Sequence, residues 1–302
     1  MRKILLIVNP VSGKKKSEKL LPNTKLEFEK NNFKLEIVKS EYKGHIEKIL
    51  NTYNIKNYNS CCIMGGDGSF HEAINGLMKR SDKLKIPLSL IPAGSGNSLG
   101  RDLNILNLKD AINNIVIDNK KSIDIAEISC NNDKIYNFNI AGWGMVANIG
   151  INAEKYRWLG TSRYTILSLF EIIFKKTNNL KIKYYDRTNN VYELKGNYIF
   201  AVICNTIHTG KGMKIAPKAK LNDGLMDLIL IKNVSRLKLL QLMPKLFTGK
   251  HINDNAVEYI HVSKIKLQPN KVSKLNIDGE IKGSTPFELT VIPNEIEIIN
   301  NY

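Results

Sequence analysis

The 302-residue chain lacks the features of several broad classes of protein. None of its apolar runs approaches the roughly 20 residues that a membrane-spanning helix needs, so we do not expect an integral membrane protein. Its four cysteines do not have the spacing of metal ligands, and the adjacent Cys61 and Cys62 are expected to be buried and reduced. The segment from Met1 to Val8 is too short for a signal peptide and predicts a first strand instead. These absences together predict a cytoplasmic protein.

A dense basic block is also missing, although the formal net charge is +17. Lysine residues are spread along the whole chain, and basic and aromatic residues do not interleave as they do in nucleic-acid-binding motifs. We therefore expect no nucleic-acid partner and interpret most of the charge as solvated surface. The surplus of positive charge favours peripheral contact with an anionic membrane surface.

The most informative stretch runs from Met64 to Glu72 and reads MGGDGSFHE. Apolar residues before it predict a buried strand, and apolar residues at helical spacing after it predict a helix over residues 70–80. Ser69 and Glu72 have the spacing of a capping box at the start of that helix. Glycines let the backbone approach a ligand closely, and a helix N-terminus attracts phosphate, so the turn is a candidate phosphate site.

Asp67 lies in the middle of this turn. A carboxylate is a poor phosphate ligand by itself, but it suits a metal ion or a hydroxyl that must lose a proton. The alternative is a tight turn in which Asp67 only bonds its own backbone.

Two further loops of small residues follow predicted strands. Residues 9–14 (NPVSGK) come after a strand over 3–8, and residues 92–97 (PAGSGN) come after a strand over 86–91. Strands alternate with helices through about residue 120, which predicts a doubly wound, mostly parallel sheet. Since the carboxyl ends of parallel strands lie at one edge of such a sheet, we expect the loops 9–14, 65–69 and 92–97 to meet at one site.

The second half of the chain predicts a different architecture. From residue 121 onward, short alternating apolar runs indicate a β-rich sandwich that is interrupted by helices at about 153–176 and 235–247. The second helix either touches a membrane or an acyl chain, or covers a face of the sheet. The predicted fold class is therefore α/β, with an N-terminal doubly wound domain at residues 1–121 and a C-terminal β-rich sandwich domain at residues 122–302.

Motifs along the whole chain resemble those of the diacylglycerol kinase and sphingosine kinase family of lipid kinases. The loops 9–14, 65–69 and 92–97 match, as do HE at 71–72, NGLM at 75–78, NDGLMD at 222–227 and DGE at 278–280, in the order of the family. The block EKYR at 154–157, with LG at 159–160 and RY at 163–164, is especially similar to the sphingosine kinase branch.

The resemblance implies an NAD kinase- and diacylglycerol kinase-like fold, with a nucleotide-binding domain at 1–121 and a lipid-substrate domain at 122–302. It implies transfer of phosphate from ATP, with Mg²⁺, to a hydroxyl of diacylglycerol, a sphingoid base or a related lipid, in the cleft between the domains. The nucleotide-binding residues that it implies are Asn9, Pro10, Ser12, Gly13, Lys14, Ser40, Gly65, Gly66, Asp67, Gly68, Ser69, Glu72, Gly94, Ser95, Gly96, Asp124, Arg157, Arg163 and Gly279.

The resemblance leaves the catalytic base open. Asp67 matches the base in the sphingosine kinase pattern. Glu280 matches the base in the bacterial diacylglycerol kinase pattern, in which Asp67, Asp124 and Asp278 belong to a metal-linked network. Because Asp278 precedes a glycine between apolar runs, a plain hairpin turn is the alternative explanation.

Three more predictions depend on the resemblance. Asp223 matches a position that holds a structural Mg²⁺ together with the carbonyls of Lys220 and Leu225, and its alternative is again an Asp-Gly turn. Arg157 and Arg163 match arginines that hold ATP phosphates, with planar guanidinium groups that pair two oxygens at once. The alternative for each arginine is a surface salt bridge.

Two positions depart from the family. Sphingosine kinases carry an acid at the position of Gly150 that contacts the sphingoid head group, and Ser98 replaces an acid common in the bacterial diacylglycerol kinases. The identity of the lipid therefore stays open, as does the oligomeric state, for which a homodimer is one option. The alternative functions are a soluble-metabolite kinase of the NAD kinase type, which shares the Gly-Gly-Asp-Gly turn, and a non-catalytic protein that senses nucleotides or binds nucleic acid.

Overall fold

The computed structural model describes residues 1–156, 163–210 and 212–300, and the chain divides into two compact units. Unit 1 comprises Met1–Ile125, Gly210–Gly212 and Asn294–Tyr302. Unit 2 comprises Ala126–Thr209 and Met213–Pro293. The functional roles assigned to residues 1–121 and 122–302 stay predictions.

Unit 1 alternates strands and helices, as its sequence predicts. Its strands are β1 (Lys3–Val8), β2 (Lys34–Lys39), β3 (Ser60–Gly65) and β4 (Leu88–Pro92). Its helices are α1 (Ser12–Lys30), α2 (His45–Thr52), α3 (Asp67–Met78), α4 (Ser98–Asp102) and α5 (Leu108–Ile117).

The four strands of unit 1 form a parallel sheet in the order β2-β1-β3-β4. The order reverses at β1, from which the chain runs first to β2 and then back to β3, and such a switch point leaves a crevice at the carboxyl ends of the strands. Because crossovers between parallel strands are right-handed, α1 lies on one face of the sheet and α2 and α3 lie on the other. Helix α1 packs against α5, and α2 packs against α3. The doubly wound fold is therefore confirmed.

Unit 2 consists mainly of antiparallel strands. They are β6 (Asp133–Asn137), β7 (Ile140–Gly144), β8 (Asn178–Tyr185), β9 (Val191–Cys204), β10 (His208–Thr209), β11 (Met213–Lys214), β12 (Met226–Lys232), β13 (Val257–Val262), β14 (Lys264–Pro269), β15 (Lys274–Ile277) and β16 (Glu280–Ser284). Two longer strands contain the boundaries between the units, β5 (Lys120–Cys130) and β17 (Phe287–Ile299). The helices are α6 (Met145–Lys155), α7 (Arg163–Ile173), α8 (Arg236–Thr248) and a 3₁₀ helix at Lys250–Asn253.

The central strands of unit 2 are buried on both faces, which explains their nearly continuous apolar sequences. Along β12, Leu228 belongs to a core formed by the inward faces of the strands, whereas Ile229 belongs to a second core that α6, α7 and α8 cover. In α8, Leu239 is part of this second core. This helix therefore covers a face of the sheet, as one of the two explanations of its apolar stripe predicts.

Two sequence predictions in unit 2 need correction. The single helix predicted over residues 153–176 is two helices, α6 and α7, and residues 157–162 between them lie outside the described part of the chain. The strands predicted at 287–292 and 295–299 are one strand, β17, which continues through Pro293 and Asn294 although Asn294 has a left-handed φ of 52°. Within the described ranges, no helix is both long and apolar enough to cross a bilayer.

Candidate functional site

Three glycine-containing loops of unit 1 are in direct contact with one another. A Cβ atom added to Gly13 would lie 2.0 Å from the carbonyl oxygen of Ala93, and one added to Gly94 would lie 2.4 Å from the Cα of Gly66. The side-chain amide of Asn9 donates a hydrogen bond of 2.9 Å to the hydroxyl of Ser69. The loops 9–14, 65–69 and 92–97 therefore meet at the carboxyl edge of the sheet, as the order of the strands predicts.

The first loop adopts an unusual backbone conformation. Gly13, Lys14 and Lys15 have φ values of 56°, 58° and 68°, in the left-handed region, and they interrupt α1 near its start. The hydroxyl of Ser17 donates a 2.6 Å bond to the carbonyl of Asn9 and holds the loop closed. Left-handed lysines cost about 1–3 kcal/mol each and persist where the surroundings impose them, often at binding sites.

The other predicted residues belong to the same three loops. They are Pro10, Ser12, Gly65, Gly68, Ser95 and Gly96. A Cβ atom on Gly96 would lie 3.1 Å from a carboxylate oxygen of Asp67, which brings the second and third loops together a second time.

The carboxylate of Asp67 reaches from the second loop to the third. It accepts hydrogen bonds from the backbone N–H groups of Ser98, at 3.0 Å, and Leu99, at 3.3 Å, which begin α4. A helix leaves its first N–H groups unbonded, so Asp67 caps α4 from outside that helix. Asp67 is itself half-buried.

Glu72 holds a neighbouring segment in the same way. Its carboxylate accepts bonds from the N–H groups of Gly44, at 2.8 Å, and Ile46, at 3.2 Å, at the start of α2. The capping box predicted for Ser69 and Glu72 is wrong, because α3 already begins at Asp67 and both side chains bond other segments. Ser40, the remaining predicted residue in this region, is buried directly after β2.

Asp124 is fully buried at the end of unit 1. Its carboxylate accepts a 2.8 Å bond from the backbone N–H of Asn294, which links β5 to the C-terminal part of β17 within unit 1. The prediction that Asp124 belongs to a metal-linked network stays a prediction.

The carboxylate of Asp278, in unit 2, accepts four of the described hydrogen bonds, more than those of Asp67, Glu72 or Asp124. The side-chain amide of Asn137 and the backbone N–H groups of Phe138, Asn139 and Ile140 all donate to it. Only 4% of Asp278 is exposed. The carboxylate thus fixes the segment that connects β6 to β7.

Asp278 also forms the turn of the β15–β16 hairpin, together with Gly279. Asp278 has φ 51° and Gly279 has φ 87°, and the N–H of Gly279 donates a 3.0 Å bond to the side chain of Asn276. Glu280 follows as the first residue of β16. Asp278 and Gly279 therefore form a hairpin turn, as the alternative explanation predicts. The catalytic roles of Asp278 and Glu280 stay predictions.

The predicted metal position at Asp223 already has a cationic neighbour. Arg187 lies 3.4 Å from the carboxylate of Asp223 and donates a 3.1 Å bond to its carbonyl, while the N–H of Leu225 bonds the other carboxylate oxygen. Lys220 is exposed nearby in sequence. A Mg²⁺ ion at this position would have to compete with the guanidinium group, so the residues present do not provide a ready fit for one.

In the described part of the chain, no cluster of three or more His, Cys, Asp and Glu side chains is arranged to hold a metal ion. Mg²⁺ in phosphoryl-transfer enzymes is usually held by one or two carboxylates together with substrate phosphates rather than by an all-protein cage. Asp67, at the contact of the three loops, fits that kind of shared site.

Two predicted arginines cannot be placed at the site. Arg157 lies outside the described residues, and Arg163 begins α7 with a side chain that is not described. Gly150 is on α6, where an added Cβ atom would lie 2.5 Å from the side-chain nitrogen of Asn276. Asn276 therefore occupies the space that a side chain at position 150 would need.

The sequence reasoning missed one segment beside the loops. Gly210 and Gly212 connect β10 to β11 but belong to unit 1, where the carbonyl oxygen of Gly210 lies 3.3 Å from the position of a Cβ atom on Gly96. Beside Gly212 lies the guanidinium group of Arg101. The only signal in the sequence is the pair of glycines in TGKG at 209–212.

Comparisons with known proteins cover both units. Residues 3–128 match the family model of the diacylglycerol kinase catalytic domain, and residues 139–300 match that of the YegS C-terminal NAD kinase beta sandwich-like domain. Sphingosine kinase 1 of Arabidopsis thaliana is 30% identical over 93% of this chain and 68% of its own length. The diacylglycerol kinase of Bacillus subtilis is 24% identical over 99% of this chain and 96% of its own length.

The fold is also similar to a solved structure. A diacylglycerol kinase from Bacillus anthracis strain Sterne, 23% identical in sequence, has a TM-score of 0.81 over 99% of this chain and 97% of that one. Together with the two family matches, this confirms the predicted combination of an α/β domain and a β-rich domain.

Proposed function

Because the chain belongs to the diacylglycerol kinase and sphingosine kinase family of lipid kinases, we propose that it transfers the terminal phosphate of ATP, with Mg²⁺, to a lipid hydroxyl. The observation that carries the nucleotide part of this proposal is the contact of the loops 9–14, 65–69 and 92–97. Small residues at a switch point of a parallel sheet leave backbone groups accessible to phosphate oxygens, which is how such domains bind nucleotides.

Phosphoryl transfer needs charge neutralisation on the phosphates and a group that orients or deprotonates the attacking hydroxyl. Asp67 suits the second task, because it is half-buried beside the loops and is held in place by the N–H groups of Ser98 and Leu99. Glu280 is the alternative base. The phosphates, together with Asp67 in the alternative where Glu280 is the base, would hold Mg²⁺, which would supply positive charge for the transferred group.

For the acceptor we favour a neutral glycerolipid over a sphingoid base. A sphingoid base carries an amine, which would need an acidic partner, and Asn276 fills the space beside Gly150 where such a side chain would stand. The amide of Asn276 is neutral. We therefore expect diacylglycerol to be phosphorylated in preference to a sphingoid base.

We further propose that an apolar face on α7 and α8 contacts anionic membranes. Both helices belong to unit 2, and the guanidinium of Arg236 donates a 2.8 Å bond to the carbonyl of Ile173 at the end of α7. The exposed apolar residues of this face are Ile166, Leu169, Phe170, Ile173, Phe174, Leu237, Leu240 and Phe247. Basic residues accompany them at Lys175, Lys176 and Arg236, which is the combination that binds an anionic interface, whereas Lys238 and Lys245 form ion pairs with Asp254.

The proposed reaction is tested by phosphate transfer from labelled ATP to a panel of diacylglycerol, a sphingoid base, ceramide and NAD. Transfer to a lipid that requires Mg²⁺ and stops with a chelator is the expected result. Transfer to NAD and to no lipid would favour the NAD kinase-like alternative. Transfer to the sphingoid base alone would overturn the preference for a neutral glycerolipid.

The membrane proposal is tested by sedimentation with vesicles of phosphatidylglycerol and of phosphatidylcholine. The protein should bind the anionic vesicles more strongly, and binding should weaken as salt rises. Phe170→Ser should reduce binding, whereas Val272→Ser, at an exposed apolar residue in the turn between β14 and β15, should leave it unchanged. Equal effects of the two substitutions would contradict the assignment to α7.

A further inference from the structure

Arg101, on the exposed side of α4, is a cation without an electrostatic partner in the described part of the chain. None of the described residues forms an ion pair or a hydrogen bond with its guanidinium group. Three atoms of that group, Nη1, Cζ and Nε, lie at 3.7, 3.8 and 3.9 Å from the position of a Cβ atom on Gly212. Such nearly equal distances mean that the guanidinium packs flat beside the glycine, so its N–H edge stays available to a ligand.

The contacts of Gly212 and Gly210 place this cation at the glycine loops. Both residues belong to unit 1, and the carbonyl of Gly210 approaches Gly96, which in turn approaches the carboxylate of Asp67. Arg101 itself follows Asn97 by one helical turn, and its backbone N–H donates to the carbonyl of Asn97 at 3.1 Å. Its backbone is therefore fixed to the third loop.

An anion at the third loop needs a side-chain donor. The first N–H groups of α4, which would otherwise attract an anion, already bond Asp67. The negative charge of Asp67 would repel a phosphate at this side of the cluster unless a cation offset it. A guanidinium group is the side chain best shaped for that task, because its planar fork pairs two phosphate oxygens at once.

We propose that Arg101 binds phosphoryl oxygens of the donor nucleotide, with Gly212 holding its guanidinium in place. This assignment rests on the proposed function, since it requires that a nucleotide binds at the three loops. It adds a phosphate-binding residue that follows the third loop, and it gives Gly212 a positioning role.

The test compares the affinities of ATP, ADP and adenosine for the full chain by calorimetric titration. R101Q should weaken ATP and ADP binding about tenfold to a hundredfold, as expected for hydrogen bonds to a charged group, and should leave adenosine binding unchanged. R101K keeps the charge but not the fork, so its effect should be intermediate. K109Q removes a charge from an exposed lysine of α5 in the same unit and is the matched control, with no change expected.

The outcomes separate this inference from the proposed function. A wild-type chain that does not bind ATP would overturn the proposed function itself. A wild-type chain that binds ATP, together with an R101Q variant that binds it equally well, would overturn the role of Arg101 alone. An equal loss of affinity for ATP and for adenosine would also overturn it, because it would indicate a structural role. A defect seen only in inhibition by the phosphorylated lipid would overturn it as well, because it would place Arg101 at the product.

Discussion

Two Asp-Gly dipeptides, Asp67-Gly68 in unit 1 and Asp278-Gly279 in unit 2, have the same sequence and different surroundings. Asp67 is half-buried at the start of α3, and its carboxylate accepts backbone bonds from the first residues of α4. Asp278 is nearly fully buried at the end of β15, and four donors from residues 137–140 surround its carboxylate.

The difference in burial and in hydrogen-bond donors implies that the carboxylate of Asp67 can react with a ligand, whereas that of Asp278 stabilises the fold. A buried carboxylate with several donors mainly organises the segments that supply them, and losing it leaves those donors unsatisfied. A half-exposed carboxylate beside glycine loops can still meet a ligand. We therefore expect Asp67 to govern the rate of the reaction and Asp278 to govern stability.

The largest effect should come from Asp67→Asn. Loss of a catalytic base typically lowers the rate about 10²- to 10⁴-fold, and lipid phosphorylation should fall by that factor while the unfolding free energy changes by only about 1 kcal/mol for the weakened helix cap. Initial rates at saturating ATP and lipid measure the first quantity, and urea unfolding measures the second.

The controls for this prediction are Asp118→Asn, at a half-buried ion pair with Arg2 in the same unit, and Glu280→Gln, at the alternative base. Asp118→Asn should leave the rate unchanged. A larger loss of rate for Glu280→Gln than for Asp67→Asn would reverse the assignment of the base and break the comparison of the two units.

The next effect is the destabilisation of unit 2 by Asp278→Asn. An asparagine tolerates the left-handed backbone at this position, so the change isolates the loss of acceptor capacity and charge. We expect the unfolding free energy to fall by about 2–3 kcal/mol, because a buried donor near the amide nitrogen loses its partner. Urea unfolding of this variant and of Glu280→Gln provides the measurement, and equal stabilities for the two would show that the buried bonds contribute little.

A smaller effect on stability, with an effect on nucleotide binding, is expected for Gly94→Ala. The new Cβ atom would lie 2.4 Å from the Cα of Gly66 and 2.7 Å from the side-chain oxygen of Asn97, so the two loops must separate. We expect a loss of about 1–2 kcal/mol, as for other overpacked positions, and weaker ATP binding by titration. The control is Gly196→Ala in unit 2, where the nearest atom, at 3.2 Å, belongs to the ring of Tyr198 and lies outside the three loops. Unchanged ATP binding by Gly94→Ala would contradict the role of the loop contact.

The smallest effect concerns Asp227, a third carboxylate near an Asp-Gly pair. Burial raises the pKa of Asp227 above its ordinary value, although Tyr259 and His261 act against this shift and Asp223 adds to it. A group with a raised pKa in the folded state stabilises the fold most below its ordinary pKa, and this contribution is lost as the pH rises through the folded-state value.

It follows that acidification from pH 7 towards about pH 4, the ordinary pKa of an aspartate, should raise the stability of the wild-type chain relative to that of Asp227→Asn. Urea midpoints of both proteins at the two pH values measure the difference. If the difference between the two urea midpoints did not change with pH, burial would not disfavour the charged form of Asp227. Its carboxylate would then resemble that of Asp278, which several hydrogen-bond donors surround.

Much of unit 1 was predictable because its signals are local. Apolar runs such as Lys3–Val8 and Ser60–Gly65 are strands in the structure, and the small residues after them form the loops that meet. In unit 2 the strands β6, β7, β13 and β16 were not predicted. Their sequences, such as IAGWG at Ile140–Gly144, contain small or polar residues whose pairing with a neighbouring strand decides their conformation.

The order of strands and helices in unit 1, the glycine turns and the motifs that carry the family resemblance were determined by the sequence alone, because each depends on residues close together in the chain. Only the tertiary structure decided what each carboxylate bonds, that Glu72 caps α2 instead of its own helix, and that Arg101 lies beside Gly212. Those partners are distant in sequence, 140 residues apart for Phe138 and Asp278, and a hydrogen bond depends on distance in space, which no local pattern specifies.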